Sequence, residues 1–297
     1  MKSKIILLSL LMMALFSFAQ SNEKEAIGKT SAAEIKTKDT LNMGWKKTGN
    51  FVFLFNQSAF NNDWRGGGVS NMAGNIGLNY DFNYKTPVLI WDNKLIVSYG
   101  LTKLKDADTQ KSDDRFIFTS LVGKKASGYW FYSGFVDFRT QMDSGFDTAA
   151  MTKRSHFFSP AYLQAGPGML WKKSDNLKIN IAPATSRLIF VHPHFTESGA
   201  SFGVEQGDSS RFEFGAALSG YYKFNIMENV SWENILIVYT NYLEKPKNAD
   251  IDYQANIVMK VNKYISTNIA FQAIYDDNAV GAFQIREVFG IGVNYTF

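Results

Sequence analysis

The chain of 297 residues contains no cysteine. That absence excludes a disulfide framework, a thiolate metal site, a cysteine nucleophile and a lipid-bearing cysteine anchor. Proline is scarce, six in all, against 25 Phe, 14 Tyr and 6 Trp, which excludes a disordered or linker-like chain. Only three histidines occur, so imidazole chemistry has few positions to use. An excess of one charge is also missing: 31 Lys and Arg face 27 Asp and Glu, for a formal net charge of +4. Two of those positives, Lys2 and Lys4, sit in the leader described next. The balance therefore excludes a strongly basic nucleic-acid binder, and no nucleic-acid partner is expected.

What is present begins with that leader. Lys2 and Lys4 precede an apolar stretch from Ile5 to Phe18, and Ser17-Phe18-Ala19 places small residues at the −3 and −1 positions. This reads as a signal peptide over residues 1–19, with cleavage expected before Gln20. The apolar run is shorter than the roughly 20 residues a spanning helix needs. Residues 20–44 are polar, with Glu23, Lys24, Glu25, Lys36 and Lys38, and read as a flexible arm that cannot bury a core of its own.

From Phe51 onward the hydrophobic period is two. Phe289, Ile291, Val293, Tyr295 and Phe297 alternate with Gly290, Gly292, Asn294 and Thr296. Phe212, Phe214, Leu218 and Tyr222 alternate with Arg211, Glu213, Ser219 and Lys223, and Met72, Ile76, Leu78 and Tyr80 with Asn75, Asn79 and Asp81. One apolar and one polar face per strand is the signature of an antiparallel sheet. The pattern divides into twelve strands near 50–60, 69–84, 88–102, 113–125, 129–142, 160–171, 177–190, 210–225, 230–242, 251–261, 265–276 and 282–297.

The connections between these strands alternate between short and long. A soluble sandwich would distribute its loops by Greek-key crossings. An even number of strands with short turns at one end, long loops at the other and aromatic residues near the strand ends belongs to an all-β, transmembrane, antiparallel up-and-down β-barrel over residues 45–297. The strands are long enough, since 9–11 tilted residues cross the hydrocarbon. Trp91, Tyr129, Trp130, Tyr132, Trp171, Trp232, Tyr239, Tyr242 and Tyr264 are the expected interfacial aromatics. Three places strain the pattern. Ile235-Leu236-Ile237-Val238 is apolar on both faces, Pro183 lacks a ladder donor and calls for a bulge, and Glu287 falls on the lipid-facing parity. Glu287 is expected outside the hydrocarbon or beyond a bulge.

Several segments resemble a known family. They are Gln57-Ser58-Ala59-Phe60 with Trp64 and Gly66-Gly67-Gly68, Trp91-Asp92-Asn93 leading to Tyr99-Gly100-Leu101-Thr102-Lys103, Ser159-Pro160-Ala161-Tyr162-Leu163, the run Met259 to Ser266, Ile274-Tyr275-Asp276-Asp277, and Glu287 to Gly292. Together they are similar to an uncharacterised family of outer-membrane β-barrels of Bacteroidota, a domain of unknown function numbered 3078, over roughly Trp45 to Phe297. The resemblance implies a location and a fold and transfers no chemistry. Independently, Tyr295-Thr296-Phe297 resembles the carboxy-terminal signal read by the barrel assembly machinery, with Tyr295 and Phe297 as its aromatic positions. Outer-membrane lipid and that machinery are the partners expected, and no cofactor is.

Candidate binding residues lie on the polar parity. Asp92, Lys94, Asp137, Arg139, Arg211, Glu213 and Arg286 lead this set, with Asp81, Lys223, Asp252 and Lys260. Both signs are mixed, whereas a strongly selective channel lines its constriction with one sign. The mixture points to ion pairs across a lumen that twelve strands leave narrow.

Other constellations are weaker. His192-Pro193-His194 with Glu197 and Glu205 holds metal-ligand types without an enforced geometry, and no metal site is expected. His156 beside Ser155 or Ser159 lacks a third group and oxyanion donors, so no catalytic residue is assigned. Gly66-Gly67-Gly68 lacks the Lys-Ser/Thr of a phosphate loop. Asp113-Asp114 and Asp276-Asp277 read as outward loop acids. The functional expectation is a non-enzymatic narrow pore or carrier for small solutes or amphiphiles. A closed structural or assembly barrel is the alternative, and a membrane-embedded lipid hydrolase or acyltransferase comes third.

Overall fold

The structure is a computed structural model that describes residues 43–60, 69–147, 152–276 and 282–297. Its strands are β1 (Gly44–Ser58), β2 (Asn71–Lys85), β3 (Leu89–Leu104), β4 (Gln110–Ser127), β5 (Trp130–Thr140), β6 (Gly145–Asp147), β7 (Thr152–Ser155), β8 (Ala161–Ser174), β9 (Leu177–Phe190), β10 (Ser210–Met227), β11 (Val230–Asn241), β12 (Asp250–Lys260), β13 (Ile265–Tyr275) and β14 (Gln284–Thr296). All but β6 and β7 form one closed barrel of twelve strands in the order β1-β14-β13-β12-β11-β10-β9-β8-β5-β4-β3-β2. The barrel is antiparallel throughout, up and down, and closes where β1 meets β14. Among the described residues no helix is long and apolar enough to cross a membrane.

Each strand of the periodicity reading corresponds to one barrel strand. Two features were not in the pattern. β1 begins at Gly44, because Lys46, Lys47 and Thr48 pair with β2 without any apolar alternation to announce it. The connection between β5 and β8 carries its own small hairpin, β6 with β7. The expected leader and the arm up to Asn42 lie outside the described residues, as do Trp64, Arg65, Gly66-Gly67-Gly68 and Asp277.

Register fixes the two faces, because residues opposed across an antiparallel ladder share a face. Phe51, Phe53 and Phe55 oppose Leu78, Ile76 and Gly74 on one side and Tyr295, Val293 and Ile291 on the other. These all face outward, and the three phenylalanines are each 44% exposed. The same row continues through Val97, Phe116 and Phe118, Val136, Ile179 and Ile181, Leu236, Ile257 and Phe289. The intervening positions face the lumen. The ambiguous run on β11 divides cleanly: Leu236 and Val238 point out, and Ile235 and Ile237 point in.

The expected bulge is present. Ala165 opposes Ser186 but Met169 opposes Ile181, and on the other edge Gly215 opposes Thr185 but Ala217 opposes Ala182. Both neighbours therefore shift by one residue around Pro183, and Thr185 Oγ1 donates to the Ala182 carbonyl at 2.9 Å to occupy one freed acceptor. Glu287 faces outward with no bulge in the β13–β14 ladder. It stands three residues into β14 from the long-loop end.

At the short-turn end Trp45 packs on Tyr84 and Trp91 with ring centroids 5.2 and 5.6 Å apart, and Tyr129 on Trp171 at 6.3 Å. Tyr239 departs from the expected belt. It faces the lumen beside Ala217 and is 2% exposed, because its parity on β11 is that of Ile235 and Ile237.

Candidate functional site

The lumen is built by the inward parity of twelve strands, and its lining divides into a packed apolar part and a charged part. Ile90, Leu121, Phe131 and Leu170 cluster with Phe135 on the β3-β4-β5-β8 wall. Ala182, Ala217 and Tyr239 form a second cluster that also touches Phe135. Leu170 has no exposed surface, so this region is filled in the manner of a protein interior.

Charged side chains cross the remaining space. Lys94 Nζ on β3 lies 3.4 Å from Asp81 Oδ1 on the neighbouring strand and 3.6 Å from Glu233 Oε1 on β11. β3 and β11 stand six places apart around the ring, diametrically opposed. Arg139 on β5 bonds Asp137 Oδ1 at 2.6 Å and Asp252 on β12 at 2.5 Å, a reach of five strand positions. Arg286 Nη1 on β14 is 3.0 Å from Asp113 Oδ1 on β4, which also takes Arg115 Nε at 3.2 Å. Lys172 and Lys178, from β8 and β9, each place Nζ 2.9 Å from Asp92 Oδ2 on β3. Two spans, from Lys94 and from Lys178, thus lie near the short turns, and two, from Arg139 and from Arg286, lie toward the long loops.

These charges are also hydrogen-bonded by neutral neighbours. Thr119 Oγ1 donates to Asp137 at 2.7 Å, and Gln272 and Gln254 donate to Asp252 at 2.9 and 3.2 Å. Such completion is what lets ionised groups stay in a low-dielectric interior. Closer to the mouth, Arg187 faces Glu213, Asp250 and Asp276 and stacks over the Tyr239 and Tyr162 rings at 4.8 and 5.5 Å. Arg211 joins Glu213 at 2.9 Å and Glu244 at 2.7 Å.

At the long-loop end the connection between β9 and β10 packs against the inner wall of β8 and β9. Its Val204 packs with Val191 on the lumen-facing Ile189, with Tyr162, Phe195 and Phe202 around them. Arg211 Nη1 donates to the Gly203 carbonyl at 2.8 Å, and Thr196 Oγ1 to the Asp208 carbonyl at 2.7 Å. The loop is therefore folded down onto the wall it leaves.

Asp92, Lys94, Asp137, Arg139, Arg211, Glu213 and Arg286 all face the lumen, and each makes one of these pairs. The parity reading missed Arg115, Lys172, Lys178, Arg187, Glu233 and Asp250. Arg187 was hidden by the bulge: Asn180 and Ala182 face in before Pro183, and Thr185, Arg187 and Ile189 after it, so parity reverses within one strand. Glu233 was recoverable from its alternation with Trp232 and Asn234.

The loop acids need correction. Asp113 and Asp114 belong to β4. Asp113 holds two arginines in the lumen, and Asp114 takes Lys111 Nζ at 2.7 Å and the Met142 and Asp143 amides at 2.7 and 2.9 Å. Their oxygens are occupied because the strand extends three residues further than the periodicity suggested. Asp276 lies 3.8 Å from Arg187.

Two of the three histidines meet. His156 and His192 contact ring to ring with centroids 4.9 Å apart, and Phe195 packs on both. His156 Nδ1 lies 2.6 Å from the Phe157 carbonyl, and the Ser159 hydroxyl accepts from the His192 amide at 2.8 Å. Ser155 Oγ donates to Gln141 at 3.0 Å. Among the described residues no group of three or more His, Asp or Glu is placed to hold a metal ion.

Outside the spanning segments two carboxylates are held below their usual range. Asp143 is lowered chiefly by the Tyr99 hydroxyl, which donates to it at 2.7 Å, and by the Ser144 amide at 2.6 Å. At the β8–β9 turn, burial works against ionisation of Asp175, and Lys172 at 3.0 Å outweighs it.

The class defined by this geometry is a closed twelve-stranded antiparallel barrel with an apolar outer face and a charge-bridged lumen. A family profile described as a protein of unknown function (DUF3078) matches residues 55–146, a narrower span than the resemblance read from the sequence. No curated protein matches the chain. Among solved structures, an outer-membrane channel from Pseudomonas putida F1 is 11% identical, over 86% of this chain and 96% of that one, with a TM-score of 0.40. The translocator domain of the autotransporter NalP from Neisseria meningitidis is 10% identical, over 92% and 97%, with a TM-score of 0.36. The CymD monoaromatic hydrocarbon channel is 10% identical, over 86% and 89%, with a TM-score of 0.31. No residue role is carried over from any of them.

Proposed function

We propose that the chain is an exported outer-membrane barrel without enzymatic activity, shut along its axis at rest, that passes or carries small solutes or amphiphiles when its lumenal ion pairs part. Bilayer residence is supported by the continuous outward row of apolar side chains and by closure, since backbone groups in hydrocarbon must be paired within the protein. The observation that carries the shut lumen is the set of pairs Lys94–Glu233, Arg139–Asp252 and Arg286–Asp113, joining strands four to six places apart on a ring of twelve. A wide water-filled pore has no such bridges. The assignment of the polar lining to transport rather than to stiffening rests on its excess over structural need: each bridge could be replaced by apolar packing at little or no cost in stability.

The test is planar-bilayer conductance of the chain from Gln20 to Phe297. Wild type is expected to be silent or to flicker, and Asp252→Asn combined with Glu233→Gln to give steady small channels. Large steady channels in wild type would overturn the shut lumen. Silence from the double variant, in protein shown to be folded, would overturn passage and leave the structural or assembly barrel.

A further inference from the structure

Arginine and lysine divide the barrel between its two ends. The described arginines, Arg115, Arg139, Arg154, Arg187, Arg211 and Arg286, all stand in the half nearest the long loops. Among the described residues the short-turn half has lysine as its only cation, and much of that lysine has lumen parity. Lys46 opposes Asn83, Lys125 opposes Phe131, Lys223 opposes Glu233 and Lys260 opposes Ser266, and all four are exposed at that opening.

The carboxylates of this half are already engaged. Asp81 and Glu233 hold Lys94 at 3.4 and 3.6 Å, and Asp175 holds Lys172 at 3.0 Å. Asp92 is shared. Lys172 and Lys178 oppose each other directly across the β8–β9 ladder, and each places Nζ 2.9 Å from Asp92 Oδ2. Like charges so opposed are destabilising by themselves. The buried Asp92 carboxylate, reaching in from three places round the ring, therefore fills an anion slot made by two cations. Lys223 extends the slot into a row. It stands two residues beyond Tyr221, which opposes Lys178, so Lys172, Lys178 and Lys223 share one face on three consecutive strands. Diagonal neighbours of this kind are about 7–8 Å apart. The Tyr221 ring lies 5.5 Å from Lys178 Nζ and 6.0 Å from Lys94 Nζ, which joins the row to the Lys94–Glu233 bridge.

We propose that Lys172, Lys178 and Lys223 bind a soluble oxyanion of two or more negative charges arriving from the short-turn side, and that this ligand takes the lysines from Asp92. Short turns of outer-membrane barrels face the periplasm. The site thus rests on the membrane reading above, and it deepens that reading by naming the ligand that begins to part the bridges. The face implies a soluble ligand: lumen parity turns these ammonium groups to the axis, whereas Lys47 and Lys124, opposite Phe82 and Tyr132, stand on the lipid side of the same end. The row implies more than one charge, because a monoanion does no more than Asp92 already does. Lys46, Lys125 and Lys260 add a positive field at the opening that draws anions in. Ammonium groups act as point charges rather than planar forks, so linked phosphates and clustered carboxylates share the chemistry required.

The test is titration calorimetry on the refolded chain from Gln20 to Phe297 in a neutral detergent at low salt, with tripolyphosphate and with citrate. Binding is expected, and the tighter of the two assigns a phosphate or a carboxylate ligand. Lys223→Gln, at an exposed position, should weaken binding about ten-fold, the size of a charge-assisted contact. Lys124→Gln removes the same charge from the outer face and should leave the affinity unchanged. Asp92→Asn removes the competing carboxylate and should bind more tightly than wild type. Tripolyphosphate should also raise the unfolding temperature of that variant more than that of wild type.

Equal losses from Lys223→Gln and Lys124→Gln would reduce binding to attraction by the whole rim and overturn the site. Weaker binding by folded Asp92→Asn would do the same. So would a decaglutamate peptide that binds where neither small anion does, which would make the opening a docking surface for an acidic protein. Absence of binding in protein with a heat-shifted band on gels overturns the site and leaves the passage reading standing. Anion binding by a chain whose Asp252→Asn/Glu233→Gln variant stays silent in bilayers overturns passage and leaves the site.

Discussion

Glu213 carries two arginines on one carboxylate, Arg187 at 3.5 Å and Arg211 at 2.9 Å, and is 1% exposed. Without it Arg187 keeps Asp250 and Asp276, and Arg211 keeps only the half-exposed Glu244, so the loss stays within the range of about 3–5 kcal/mol for a buried pair broken outright. Glu213→Ala is therefore expected to lower stability by that order, with Glu213→Gln milder because the amide oxygen still accepts. The exposed contact between His194 and Glu197, 3.8 Å apart, is the contrasting case. A solvated pair contributes within roughly 0.5 kcal/mol, so Glu197→Gln should change nothing measurable. Urea unfolding in micelles, followed by tryptophan fluorescence, compares the three variants. Equal effects for Glu213→Ala and Glu197→Gln would mean that water reaches Glu213 freely. At this scale much was legible in the sequence: seven residues on the polar parity face the lumen as read. Their partners were not, because Arg139 and Asp252 lie 113 positions apart and meet only when the ring has closed.

Among the elements, β14 shows how small residues set the closing seam. Gly292 faces the lumen, and a Cβ there would lie 2.2 Å from the backbone oxygen of Phe53 and 2.6 Å from the Leu54 side chain. A backbone oxygen cannot swing aside, so Gly292→Val must push β1 away along the few rungs that join the two strands. Overpacking of this kind costs about 1–3 kcal/mol, and here it falls on the shortest ladder of the barrel among the described residues, six pairs from Asn50↔Thr296 to Phe55↔Ile291. The variant is expected to lose its compact migration on gels at a lower temperature than wild type. Gly74→Ala, whose Cβ meets nothing within 4 Å, should not. If both behave alike, the seam is not what limits opening. The alternation that announces β14 says that it is a strand and which face is apolar, but nothing about how far its free edge is paired. Register is a property of two segments, and for the same reason the bulge at Pro183 was foreseeable while the reversal of parity that hid Arg187 was not.

For the molecule as a whole, closure of the lumen should be insensitive to salt. Exposed charges about 10 Å apart are largely screened at 0.1 M ionic strength, and buried pairs much less. Asp137 and Asp252 are 6 and 8% exposed, and their bridges to Arg139 are completed by Thr119, Gln254 and Gln272. Raising KCl from about 0.1 M to about 1 M, where the screening length shrinks to about 3 Å, should leave wild type silent. The Asp252→Asn/Glu233→Gln variant should instead conduct in proportion to the bulk electrolyte. Channels that open in wild type at high salt would show that ions already reach the bridges and that the lumen is hydrated. The apolar clusters around Phe135 argue against that result, since they pack the wall below Arg139 and keep water from that stretch of it. A lumen held by both terms opens only when specific charges are removed, so solute passage would need a ligand or a lateral movement of the wall to part the bridges.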